Sequence, residues 1–202
     1  MRMDTEKSPV VEWGLRPGKE SKMGKEPWDS STERAKQLRI SDFGMPEEVR
    51  EMAKPIRTAQ TRYEATIILK KIAAQEPLTN KDGLTVTLSS DSRGKIVSSK
   101  ALNTSYGQKA HFLAVANLDK LFFNSIEPWE YELNPNKSND DLKARRYLYA
   151  PLEFDNKIIP VKITVKEYKD ESLGKRLYSL EAIDVEIKTK NRDAGMLAPS
   201  KQ

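Results

Sequence analysis

Hydrophobic positions recur at helical spacing in the first two thirds of this chain. The segment at residues 61–64 (TRYE) has the spacing of a capping box, and isoleucines follow it at helical intervals as far as Ile72. Pro46 is followed by acidic residues, as in the first turn of a short helix. Positions 111, 115, 118 and 122 are His, Val, Leu and Phe, which share one helical face. The pattern predicts helices at residues 62–74 and 108–123, with His111 heading a buried stripe.

Strict alternation of apolar and polar residues predicts strands elsewhere. Residues 84–88 (LTVTL) alternate, and Lys95 is expected to precede a further strand after a turn at 89–94. In the last third, segments 146–154, 157–168 and 176–187 are separated by short turns, which force antiparallel pairing. The alternation changes phase within the last segment, so we expect a β-bulge near Glu181.

The order of these elements predicts an α+β fold, with N-terminal helices packed on a C-terminal antiparallel β-meander. Residues 1–44 are polar and charged with scattered glycines and prolines, and we expect them to form a disordered arm or linker. Residues 45–187 are expected to form a single α+β domain. A basic, flexible tail is expected to follow at residues 188–202.

Composition narrows the possible chemistry. The chain has no cysteine and one histidine, which excludes a disulfide framework and a zinc site, and we expect no metal and no cofactor. The net charge is +5, but residues 45–187 carry 22 Lys and Arg against 21 Asp and Glu. A phosphate-binding surface on the domain must therefore come from a local cluster of cations. No apolar run approaches the roughly 18 residues of a membrane span, so we expect a soluble protein without membrane contact.

The remaining candidates for chemistry form a basic set that includes the one histidine. Alternation places Lys162, Thr164 and Lys166 on one face of a strand, at intervals of roughly 6.5–7 Å. Cationic side chains can stabilise a pentavalent phosphate during metal-free RNA cleavage, while a histidine or tyrosine moves the proton of the 2′-hydroxyl. The other members of the set are Lys95, His111, Arg145, Arg146, Arg176 and Tyr178.

Each member of this set also has an ordinary structural interpretation. Alternating lysine and threonine residues are typical of a solvated strand face. Arg145 and Arg146 follow two aspartates, with which they can form local ion pairs. A histidine on an apolar helical stripe is often a hydrogen-bonded core residue, and strand tyrosines are often core or edge aromatics. The residues alone leave these interpretations open beside the catalytic one.

Five segments of the last hundred residues, taken in order, resemble domains of large polyvalent proteins from phages and mobile elements. The resemblance spans about residues 62–187 and extends to the neighbouring barnase, EndoU, colicin and RelE-like group of metal-independent ribonucleases, which has a helix-then-antiparallel-sheet plan. This chain has no second histidine, which that group often uses. The segments are GKIVS (94–98), AHFLAVANLDKLF (110–122), RRYLYAP (145–151), VKITVKE (161–167) and LYSLEA (177–182).

The resemblance implies a domain carried within a larger injected or secreted protein, and an RNA-cleaving effector acting in the bacterial host cytoplasm. It implies His111 as the proton-transfer group, with phosphate held by Lys95, Arg146 and Lys166. Thr164 and Tyr178 would orient the substrate. Further substrate contacts are expected from Arg145, Lys162 and Arg176.

Two competing hypotheses need no catalysis. The second hypothesis is a non-catalytic accessory module that binds an immunity or host protein through its arm or a sheet edge. The third hypothesis is a nucleic-acid binder that uses the cationic residues from 188 onward. RNA cleavage at His111 is the first hypothesis of the three.

Overall fold

The computed structural model describes residues 31–75, 77–129, 132–133 and 141–187. The helices of this part of the chain are α1 (Ser31–Ala35), α2 (Ile40–Phe43), α3 (Pro46–Ala53), α4 (Arg62–Ala73), α5 (Ser90–Ile96), α6 (Ser99–Thr104), α7 (Gly107–Ala116) and α8 (Leu118–Phe123). Its strands are β1 (Leu78–Thr79), β2 (Thr85–Val86), β3 (Glu132–Leu133), β4 (Leu142–Phe154), β5 (Lys157–Tyr168) and β6 (Lys175–Ala182).

The last four strands form one antiparallel sheet in the order β3-β4-β5-β6, and β1 pairs with β2 in a separate small sheet. The β4–β5 hairpin turns at Asp155 and Asn156, whose φ angles of 51° and 60° suit a two-residue hairpin loop. The predicted meander and the α+β class are confirmed. Among the described residues, no helix combines the length and the hydropathy that crossing a bilayer takes.

One face of the sheet carries the main core, because alternate residues of three strands point toward the helices. Leu148, Ile163 and Leu177 are fully buried on this face, and they pack in the same cluster as Leu69 of α4 and Phe122 of α8. Helix α4 begins as its sequence predicts: the amide of Glu64 donates to Thr61 Oγ1 at 3.2 Å.

The opposite face is covered as well, by the segment that precedes α3. Ala35 and Leu38 pack with Tyr149 and Ile183, while Ile40 packs in the cluster that holds Ile187. The packed part of the chain therefore extends back at least to α1, before the boundary expected at residue 45. Residues 1–30 and 188–202, the rest of the expected arm and the basic tail, lie outside the described residues.

Three local predictions need correction. Lys95 belongs to helix α5 and does not precede a strand, since Ser89 caps the segment through its side chain and starts a helix. The helix expected at 108–123 breaks at Asn117, whose side chain bonds the backbone of a distant loop. The bulge lies at Tyr178 rather than near Glu181, because Thr164 pairs with the residue after Tyr178 and the next β5 position pairs with the residue before it.

Candidate functional site

Two lysines from different elements meet at one tyrosine on the β6 edge of the sheet. The Nζ atom of Lys166, on β5, lies 3.6 Å from the centre of the Tyr178 ring. The Nζ atom of Lys95, on α5, lies 4.4 Å from the same centre. We call these three residues the tyrosine–lysine cluster. Its members are more than 70 positions apart at the extremes, and the fold alone brings them together.

The bulge in β6 explains how Tyr178 reaches this place. Leu177 is fully buried and belongs to the core face, and the regular alternation resumes with buried Leu180. Tyr178 is the extra residue of the bulge. Its side chain is therefore not held to the regular alternation between the two faces of the sheet. Bulges re-aim a side chain in this way, and they are frequent beside functional sites. Tyr178 and Lys166 are half-buried, and Lys95 is exposed, so the cluster is open to solvent.

The charges of the cluster affect the acidity of its members. Burial raises the pKa of Tyr178, but the positive charges of Lys166 and Lys95 outweigh it and hold that pKa below its ordinary value. Burial lowers the pKa of Lys166, and the charges of Arg145 and Lys95 lower it further. A phenol and an ammonium group whose pKa values are drawn toward neutrality are typical of acid–base sites.

Arg145 extends the positive charge along the sheet. It is the direct partner of Lys166 in the β4–β5 ladder, and on β6 Arg176 is paired with Lys166 in turn. The Nε atom of Arg145 is buried and has no hydrogen-bond acceptor. A buried donor of this kind is uncommon.

Two residues of β5 near Lys166 are less accessible to a ligand than the sequence predicted. Thr164 is only 7% exposed, so it lies beneath the surface rather than on a solvated face. The ammonium group of Lys162 is 3.1 Å from the carboxylate of Glu181, which neutralises it. The expected face of Lys162, Thr164 and Lys166 is therefore open to ligands mainly at its Lys166 end.

Arg146 lies on the other face of the sheet, away from the tyrosine–lysine cluster. Its Nη1 atom donates to Glu127 at 2.9 Å and its Nε atom donates to Glu167 at 3.2 Å. The side chain is 18% exposed, and two carboxylates already neutralise it. The structure thus separates Arg146 from Lys95 and Lys166, with which the sequence grouped it.

His111 is fully buried, and both ring nitrogens have partners. Nε2 lies 2.7 Å from the carbonyl oxygen of Ile96, so it carries the proton and donates. Nδ1 accepts from Ser105 Oγ at 2.8 Å, and that hydroxyl in turn accepts from the amide of Ala182 at 3.1 Å. Burial lowers the pKa of His111, which keeps the ring neutral. The imidazole cannot meet a polymer substrate in this arrangement.

The tyrosine–lysine cluster was only partly predictable. The sequence named its three members, but it gave Tyr178 an orienting role and placed the chemistry on His111. The phase change within the last strand was the available signal, since a bulge was expected three residues away. In the described part of the chain, no three His, Asp or Glu side chains come together as a metal site requires.

Comparison with known proteins identifies one family. The family described as large polyvalent protein-associated domain 3 matches residues 57–178, which is more than half of the chain and includes all three members of the cluster. No curated protein and no solved structure matches. The match confirms the resemblance to polyvalent-protein domains, while the likeness to metal-independent ribonucleases stays a prediction.

Proposed function

The chain belongs to the large polyvalent protein-associated domain 3 family, and we propose that it cleaves RNA without a metal, using Tyr178 instead of His111 to accept the proton. The observation that carries this proposal is the approach of two ammonium groups to the Tyr178 ring, at 3.6 Å and 4.4 Å from its centre. RNA is the proposed partner and the cytoplasm of a bacterial host the proposed place of action, as for an effector delivered within a larger protein.

The proposed reaction needs one base, one acid and positive charge at the phosphate. The ionised phenol of Tyr178 accepts the proton of a ribose 2′-hydroxyl, whose oxygen forms a bond to the adjacent phosphorus. The bond from phosphorus to the 5′-oxygen breaks, and Lys166 gives that oxygen a proton. The products are a 2′,3′-cyclic phosphate and a 5′-hydroxyl, and solvent restores the proton from Tyr178 to Lys166.

The electrostatics of the cluster favour these roles. Lys166 and Lys95 stabilise the phenolate, so a larger fraction of Tyr178 is ionised near neutral pH than in an isolated tyrosine. Lys95 and Arg145 would neutralise the charge that develops on the phosphate, a contribution that is often the largest in such reactions. Lys166 donates more readily because its pKa is lowered.

The substrate class follows from this chemistry. Only RNA has the 2′-hydroxyl that serves as nucleophile, so DNA of the same sequence would bind without being cut. The cluster lies on the surface where α5, β5 and β6 meet, which suits a single strand whose phosphates are accessible from the side. A protein-binding module, the alternative hypothesis, would need neither the phenol nor RNA.

Cleavage of a labelled single-stranded RNA by the 202-residue protein in EDTA tests the proposal. We expect products with 2′,3′-cyclic phosphate ends, and a rate reduced by about 10²-fold or more in Tyr178→Phe. Tyr63→Phe is the matched control, since Tyr63 lies on α4 and is 74% exposed. Circular dichroism would establish that both variants fold.

Two results would contradict the proposal. Intact RNA at high protein concentration would contradict cleavage and favour a non-catalytic module. Equal cleavage by the wild-type protein and Tyr178→Phe would place the chemistry elsewhere.

A further inference from the structure

A polar cavity lies on the helix-facing side of the sheet, away from the tyrosine–lysine cluster. It has a volume of about 290 Å³, close to the lower limit for small-molecule sites. The turn at residues 80–84 forms one wall and the sheet forms another. The lining residues that matter here are Asp82, Leu84, Glu127, Arg146, Leu148 and Lys175.

Glu127 leaves one side of its carboxylate unsatisfied in this cavity. Its Oε2 atom accepts from Arg146 at 2.9 Å, but its Oε1 atom is buried without any hydrogen-bond donor. Buried carboxylate oxygens normally have donors, because an unmade hydrogen bond leaves the cost of desolvation uncompensated. This oxygen is buried, so a donor in the cavity reaches it only after a shift of the side chain, but the carboxylate still places negative charge beside the cavity.

Lys175 and Asp82 supply opposite charges at the same cavity. Within residues 31–75, 77–129 and 141–187, neither forms a salt bridge. Lys175 is half-buried and its backbone carbonyl accepts from the amide of Thr87, which fixes the start of β6. With Glu127 and Arg146, the lining has two positive and two negative side chains.

The wall of the cavity is held in place before any ligand binds. Asn80 Oδ1 accepts from the amides of Asp82 and Leu84 at 3.1 Å and 2.8 Å. Gly83 has φ of +81°, a conformation that favours glycine, and its amide donates to the carbonyl of Asn80. A preformed wall lowers the conformational cost of binding a small molecule.

We propose that this cavity binds a zwitterion of amino-acid size, whose ammonium group donates to Glu127 and Asp82 and whose carboxylate meets Lys175. Leu84 contacts its apolar part, while Leu148 is buried behind the lining. A phosphate or other dianion fits less well, because the two carboxylates offset the two cations of the lining. A metal ion would lack ligands, because the described residues form no group of three metal-binding side chains.

Thermal unfolding of the full-length protein with each proteinogenic amino acid at millimolar concentration tests the proposal. Ligands that bind the folded state raise the unfolding temperature, and glycine betaine is the control because it is a zwitterion without N–H donors. We expect at least one amino acid to raise the temperature while betaine does not. Calorimetric titration of that amino acid should give an affinity reduced roughly tenfold in Lys175→Gln.

The control variant is Lys157→Gln, in an exposed position of the β4–β5 hairpin, which should leave the affinity unchanged. Tyr178→Phe should also bind normally, since the proposed RNA chemistry lies at the other site. Glu127→Gln provides a second test where it folds, because it keeps the size of the side chain and removes its charge. An unfolding temperature that no amino acid raises above the betaine value, or equal affinity in Lys175→Gln, would overturn the proposal.

Discussion

His111 Nε2 lies 2.7 Å from the carbonyl oxygen of Ile96, and this bond joins the only imidazole of the chain to the end of α5. Ile96 follows Lys95, and the other ring nitrogen is linked through Ser105 to the end of β6. The histidine thus ties together the two elements that bring Lys95 and Tyr178 to one place. The buried ring therefore contributes to the packing that positions these residues.

The stability of the protein should depend on pH through His111. Burial holds the folded-state pKa below the unfolded value of about 6.5. Above that pH the imidazole is neutral in both the folded and the unfolded protein. As the pH falls below it, the imidazole of the unfolded protein binds a proton and that of the folded protein does not. The free energy of unfolding therefore decreases until the pH reaches the folded-state pKa. The loss reaches at most about 1.4 kcal/mol for each pH unit.

Urea unfolding of the wild-type protein and His111→Gln measures this effect. The free energy of unfolding should fall more steeply in the wild-type protein than in the variant between about pH 7 and pH 5. Parallel curves for the two proteins would contradict a buried neutral imidazole.

Asn117 links the helical break to the loop that precedes α4. Its Oδ1 accepts from the amides of Ile56 and Arg57 at 2.7 Å and 3.0 Å, and its Nδ2 donates to the carbonyls of Arg57 and Leu113 at 2.8 Å each. Because Asn117 is 1% exposed, Asn117→Ala leaves these groups without partners. We expect a loss of about 2–4 kcal/mol in the free energy of unfolding.

Asn103→Ala is the control for that measurement. Asn103 lies exposed on α6 and should change stability by less than about 0.5 kcal/mol. Similar effects of the two substitutions in urea unfolding would show that the Asn117 bonds add little.

Arg145 and Arg146 are adjacent in the chain, but matched substitutions should affect different properties. Arg145→Met removes a cation beside Lys166, so RNA affinity and its salt dependence should fall. Arg146→Met leaves Glu127 and Glu167 without their shared partner, so stability should fall by about 1–3 kcal/mol.

Filter binding at several salt concentrations and urea unfolding separate the two effects. The slope of log affinity against log salt should decrease by roughly one in Arg145→Met. Weaker RNA binding in Arg146→Met at unchanged stability would contradict the assignment of the two arginines to opposite faces.

Local patterns predicted the elements well, and their limits are visible at particular residues. Thr61 and Glu64 form the expected capping box because both partners lie within one turn. The β4–β5 hairpin followed from alternation around a two-residue turn. Lys95 was misplaced because residues 90–98 are short and polar, where a capping serine and tertiary packing decide between helix and strand.

The sequence did not predict which of the candidate residues meet in space. The spacing of Lys95, Lys166 and Tyr178 in the chain contains no sign that they meet, since α5 packs on β6 through the core. The apolar stripe that begins at His111 was predicted correctly. Because this stripe is buried, the imidazole is not accessible to a substrate. A covered second face of the sheet was also missed, because Ala35 and Leu38 lie in a segment that is otherwise polar.

Titration of Tyr178 tests the central claim most directly, namely that Lys95 and Lys166 make its phenol acidic. The difference in ultraviolet absorbance between the wild-type protein and Tyr178→Phe, followed with pH, gives the pKa of this one tyrosine. We predict a pKa below the ordinary value of 10.0, and a higher value once Lys166→Met removes one of the two charges. A pKa at or above 10.0 in the wild-type protein would contradict the account.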